Sequence, residues 1–188
     1  MLLWRKLRSL TMDPFARLGL EKRLAISEEE LREAFRAAGK RDHPDAGGTG
    51  ENFRALQEAY ARLSSPAKRL RAWLEANGVT GEERGAISPE LLDLFSKVGA
   101  ALQTADDVAK RRAAALSTLA KAMLEPAVQA AREKLEEALA ELALAFQAQE
   151  AAFPQIESGG GDPWRIARDL AFLEKWQAEL KARFAGLW

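Results

Sequence analysis

The chain has 188 residues, 47% apolar and 30% charged, with Lys+Arg and Asp+Glu balanced at 28 each. That composition suits one or two packed cores and argues against global disorder. With no Cys and a single His, it excludes disulfides, thiol nucleophiles and Cys-ligated metal centres, and leaves little for a metal site or a Ser-His dyad.

Ala, Leu, Glu, Arg and Lys dominate, so the expected fold class is all-α. The neutral net charge hides an asymmetry. Residues 1–80 carry 15 basic and 11 acidic side chains, and residues 81–188 carry 13 and 17. A positive first half and a negative second half suggest two modules with different partners. No apolar run approaches the roughly 18 residues needed to span a bilayer. Residues 1–12, with Leu3, Leu7 and Leu10 on one helical face and Arg5, Lys6 and Arg8 elsewhere, are read as an N-terminal extension, with Met12 as an alternative start.

In chain order, Asp13-Pro14 opens a short helix through Leu20, because Asp caps and Pro suits the first turn. Ser27-Glu28-Glu29-Glu30 is a capping box that opens a helix to about Arg41. Pro44 and Gly47-Gly48 break the chain over 42–49. A third helix follows from about Gly50 to Leu63, with Phe53, Leu56, Tyr60 and Leu63 on one face. Ser65-Pro66 opens a fourth that stops at Asn77-Gly78. Residues 78–87, rich in Gly and charge, are the expected linker between a unit at 13–77 and a helical bundle at 88–188.

In that bundle Ser88-Pro89 starts a helix bearing Leu91, Leu92, Leu94, Phe95 and Val98. Thr104 with Asp107 starts another. Pro126 kinks or splits a long helical stretch ending near Phe153. Val128, Leu135, Leu139, Leu142 and Phe146 then form a stripe for a partner helix. PQIESGGG reads as a loop. Asp162-Pro163 opens a last helix with Ile166, Leu170, Leu173, Leu180 and Phe184 on one side. An antiparallel bundle is the expected arrangement.

The helix at 27–41 carries the functional signal. At 100° per residue, Leu31, Phe35 and Ala38 fall together as a core face, while Arg32, Arg36 and Lys40 form a cationic ridge. The ridge leads, past Arg41, into His43-Pro44-Asp45. Pro44 fixes φ and stiffens the turn. Asp45, as a carboxylate, is suited to accept charge-assisted hydrogen bonds.

DPFARLGL, LREAFRAAGKRDHPDAGG and FRALQEAYARLSSPAKR, in that order and spacing, resemble a complete J domain. The resemblance implies an antiparallel helical hairpin with His43, Pro44 and Asp45 at its tip. It implies docking on a DnaK-type chaperone, with stimulation of that chaperone's ATP hydrolysis. Arg32, Arg36, Lys40 and Arg41 match the basic face, and Lys68 and Arg69 the basic pair after the third helix. Asp42 departs from the pattern, standing where the family usually has an aromatic residue.

RLRAWLEANG and the final DPWRIARDLAFLEKWQAEL are similar to the HscB-type iron–sulfur co-chaperones, whose bundle holds a cluster scaffold protein on an apolar and acidic surface. The matching stretch, Leu91 to Gln103, supplies Leu91, Leu92 and Phe95 as client-binding candidates. Ser96, Gly99 and Gln103 stand where that family implies acidic residues, and Pro126 and the extra length between Thr104 and Phe153 also depart from it.

Two other classes compete with this reading. An enzyme would need a nucleophile, carboxylate or glycine-rich phosphate constellation around His43, and none is present, so no enzymatic activity, cofactor or metal is expected. A nucleic-acid binder would use Arg32, Arg36, Lys40 and Arg41, but the charge is balanced and the aromatics are core-spaced. The expected partners are thus a DnaK-type chaperone and a client or scaffold protein, without nucleic acid or a membrane span, in the cytoplasm.

Overall fold

The Asp13 side chain accepts a hydrogen bond from the Phe15 N–H at 3.0 Å and Pro14 fills the first position of α1 (Pro14–Leu18). Gly19, at φ +70°, closes the helix in the left-handed conformation that Gly adopts without penalty. The helix therefore stops two residues before the expected Leu20. The computed structural model describes residues 13–41 and 50–187. The expected extension at 1–12 and loop at 42–49 lie outside them. The described residues are helical with no strand.

α2 (Glu28–Arg41) starts where the Ser27 hydroxyl accepts the Glu30 N–H at 3.1 Å, the first half of a capping box. The Glu30 carboxylate pairs with Arg23. α3 (Gly50–Ser64) packs on α2 through Phe35, whose ring lies 4.7 Å from Tyr60 and 6.4 Å from Phe53. Leu31, Ala38, Leu56 and Leu63 are buried beneath them. α4 (Pro66–Ala76) is capped by Ser65, which accepts the Lys68 N–H at 3.1 Å. The Arg17 guanidinium donates to the Asn52 carbonyl, tying α1 to the start of α3.

Leu91 closes a 3₁₀ turn (Pro89–Leu91), and α5 (Leu92–Ala114) then runs without interruption. The start expected at Thr104 is absent. Nothing breaks the helix there, and the Thr104 hydroxyl donates to the Ala100 carbonyl four residues back, as a mid-helix Thr can. Pro126 does split the next stretch. It follows the first residue of α7 (Glu125–Glu150), where its missing N–H costs little. Before it lies only the short α6 (Thr118–Ala122). The loop expected at PQIESGGG is partly helical. Phe153 and Ile156 are buried and Pro154 opens the first turn of α8 (Phe153–Glu157), so burial overrides the turn signals. α9 (Pro163–Gly186) is the last helix.

The chain divides into two compact units, one of residues up to Arg84 with Glu150–Ala167, the other of Gly85–Gln149 with Arg168–Trp188. The first division falls inside the expected linker. The second takes 150–167 out of the expected bundle and into the first unit. There Leu24 N–H donates to Glu157 at 2.6 Å, and the Gly81 backbone lies on the Trp164 ring, which leaves no room for a Cβ.

In the second unit, contacts between helices show their relative directions. Lys97 meets Glu141 at 2.8 Å and Arg112 meets Glu125 at 3.2 Å, so α5 and α7 are antiparallel. Phe95 meets Trp176 and Asp106 meets Arg183, so α5 and α9 are parallel. The core between them includes Val98, Ala105, Val128, Leu135, Leu142, Leu173 and Leu180. Asp169, fully buried, accepts hydrogen bonds from the Ser88 N–H at 3.0 Å and from the Ser88 hydroxyl. Asp169→Ala should therefore cost about 2–3 kcal/mol, because it strands a buried N–H and hydroxyl. Chemical denaturation compared with the wild type checks it.

Candidate functional site

On α2 the core-facing positions are occupied as the wheel requires, with Leu31 and Ala38 buried and Phe35 partly so. Arg32, Arg36, Lys40 and Arg41 are all exposed. Arg32, Arg36 and Lys40, spaced at i, i+4 and i+8, share one side of the helix. Arg32 also reaches back to Glu28 at 3.4 Å, an exposed i,i+4 pair of small energetic weight. The Arg41 guanidinium lies within 4 Å of where a Cβ would project from Gly19, placing it against the end of α1 and off the ridge. His43, Pro44 and Asp45, the residues to which the ridge leads, lie outside the described residues.

The basic pair after the third helix divides. Lys68 is exposed. Arg69 is not a surface cation: it is 6% exposed, and its guanidinium donates to the Ile26 and Leu63 carbonyls at 3.3 and 3.2 Å and pairs with Glu150 at 3.4 Å. It cross-links the segment before α2 to the end of α3. The physical reason is helical phase. Arg69 stands three and four residues before the buried Ala72 and Trp73, so α4 points it inward.

The client-binding candidates also separate. Leu91 is 5% exposed and belongs to the core of the second unit. Leu92 and Phe95 are 51% and 53% exposed. Phe95 lies 5.5 Å from Trp176, which itself lies 6.1 Å from Phe172. Trp176 is buried in the core and Phe172 is partly buried against it, so these two α9 aromatics back the exposed Phe95 ring from beneath, and sequence reading missed them. The available signal was Trp176 three residues after Leu173, inside the stripe of the last helix. On the opposite side of α5, hydrogen bonding to Glu141, then its charge, raises the Lys97 pKa above the ordinary lysine value. No helix among the described residues is long and apolar enough to cross a membrane.

The DnaJ domain family matches residues 13–71, which takes in α1 through most of α4. A DnaJ protein homolog from Cucumis sativus is 44% identical over 52 residues, 28% of this chain and 12% of that protein. A chaperone protein DnaJ from Lactiplantibacillus plantarum is 37% identical over 76 residues, 39% of this chain and 19% of that protein. The chain thus matches less than a fifth of the length of either relative. No solved structure matches it. The matched helices, with their basic ridge and the His-Pro-Asp segment that follows α2 in the sequence, make residues 13–71 a DnaJ domain.

Proposed function

We propose that the chain is a co-chaperone that docks on a DnaK-type (heat-shock 70 family) chaperone and stimulates its ATP hydrolysis, while its second unit holds a client. The observation that carries the reading is the exposed ridge of Arg32, Arg36 and Lys40 on a matched DnaJ domain, leading into His43-Pro44-Asp45. The ridge steers encounter with an acidic surface, which raises the association rate more than the final affinity. The His-Pro-Asp segment anchors the docked state. On this reading the chain performs no chemical step of its own and acts in the cytoplasm. Arg69 drops out of the docking surface and Lys68 stays in it. The test is single-turnover ATP hydrolysis by a DnaK-type chaperone with and without the chain.

A second reading makes the client an iron–sulfur scaffold protein, as in HscB-type co-chaperones. It is favoured by Leu92 and Phe95, which stand exposed beside Trp176 on the stretch that resembles the scaffold-holding surface. Leu91→Ala should cost about 2–5 kcal/mol, as expected of a buried Leu. Phe95→Ala should cost only about 0.5–1.5 kcal/mol, the worth of its ring contact. A Leu92→Ser/Phe95→Ala chain should stay folded and lose client capture. The check is thermal melting of each variant, with binding measured to a purified iron–sulfur scaffold protein and to an unfolded polypeptide. Capture of the scaffold alone supports the specialist reading, and capture of the unfolded chain supports a general one.

A further inference from the structure

At the α5–α7 end of the second unit the chain exposes apolar side chains that neither docking nor client holding uses. Leu116 is 100% exposed, Leu119 72% and Met123 75%. Leu119 lies in α6, and Leu116 and Met123 flank it, so all three fall within residues 116–123 of the connection between α5 and α7. Such exposure belongs to a protruding tip, since a groove would shield at least one of them. Folding gains nothing from three large apolar side chains held in water.

Charge selects what covers them. From Val108 to Leu124 the sequence holds Lys110, Arg111, Arg112 and Lys121 and no carboxylate. Arg112 is engaged within the unit, pairing with Glu125 and donating to the Leu187 carbonyl. Lys110 and Arg111, near the end of α5, and Lys121, in α6, are exposed. An exposed apolar connection flanked in sequence by cations matches a surface that is anionic outside and apolar a few ångströms beneath. A second copy of the tip would bring like charges together.

We propose that Leu116, Leu119 and Met123 insert into the headgroup region of an anionic membrane, with Lys110, Arg111 and Lys121 bound to lipid phosphates. The chain lies on the membrane through this tip and does not cross it. Shallow insertion with electrostatic attraction gives reversible binding that weakens with salt. The tip is separate in sequence from the J domain, so membrane binding and chaperone stimulation should respond to different substitutions.

The test is co-sedimentation of the full chain with vesicles of phosphatidylcholine alone or of equimolar phosphatidylcholine and phosphatidylglycerol, at two ionic strengths. The wild type should bind the mixed vesicles, release them at high salt and ignore the neutral ones. Leu116→Ser/Leu119→Ser/Met123→Ser should weaken binding at least about tenfold, and Lys110→Gln/Arg111→Gln/Lys121→Gln should do likewise. Both should melt like the wild type and stimulate the chaperone ATPase equally. Absence of vesicle binding by the wild type overturns the proposal. So does binding that survives both tip variants, or binding lost on Arg36→Glu instead, which would place the contact on the J domain. Sedimentation velocity showing a dimer that the apolar tip variant abolishes, without vesicle binding, would assign the tip to self-association and also overturn it.

Discussion

Arg69→Ala should lower the stability of the first unit by about 2–4 kcal/mol, while Lys68→Ala beside it changes stability by less than about 0.5 kcal/mol. The contrast follows from burial. The Lys68 side chain is in water. Arg69 is 6% exposed and donates to two backbone carbonyls, Ile26 before α2 and Leu63 at the end of α3. Removing the guanidinium leaves those acceptors buried, and a stranded buried acceptor costs its full desolvation. Glu150, at 37% side-chain exposure, can be rehydrated and adds little. Arg69→Lys should recover only part of the loss, since one ammonium cannot reproduce the guanidinium fork. Urea denaturation of the four chains provides the check. If Arg69→Ala leaves the midpoint unchanged and reduces chaperone stimulation, Arg69 belongs to the docking surface after all.

Arg69 also marks where sequence reading stops. Its place in a run similar to the basic pair of J domains suggested a surface role. Its helical phase, three and four residues before Ala72 and Trp73, pointed the other way and was the better guide. Local rules did well where one residue decides the backbone. Asp13-Pro14, Ser27 and Ser65-Pro66 each start a helix as their side-chain chemistry requires. They failed where tertiary burial overrides a local signal. Thr104 looks like a cap but sits mid-helix, and Phe153-Pro154 looks like a loop but is drawn into a helical turn by the burial of Phe153 and Ile156. The grouping of 150–167 with the first unit was not legible, because Glu157 to Leu24 and Glu150 to Arg69 are long-range pairs without periodicity. For the site, the ridge on α2 was readable from a 3.6-residue period, whereas the division of Leu91 from Leu92 and Phe95 needed the placement of α9.

The central claim is that the DnaJ domain acts through His-Pro-Asp, and Asp45→Asn and His43→Gln should show the largest functional effects of any substitution considered. The described core contacts of α2 and α3 run through Leu31, Phe35, Ala38, Leu56 and Tyr60, and both substitutions fall in the helix-breaking segment that follows α2 in the sequence. Helicity and melting should therefore stay within about 0.5 kcal/mol of the wild type. In the docked complex, losing one partner of a desolvated charged hydrogen bond costs about 2–5 kcal/mol, or some thirtyfold to several thousandfold in binding. Arg36→Glu should behave differently, slowing association and reducing its sensitivity to salt, because it removes steering and leaves the anchor. The deciding measurement is single-turnover ATP hydrolysis by a DnaK-type chaperone, with each chain titrated at two ionic strengths. The account predicts strong stimulation by the wild type, almost none by Asp45→Asn at any concentration reached, and a rightward-shifted, less salt-sensitive curve for Arg36→Glu. Equal stimulation by the wild type and Asp45→Asn would contradict it.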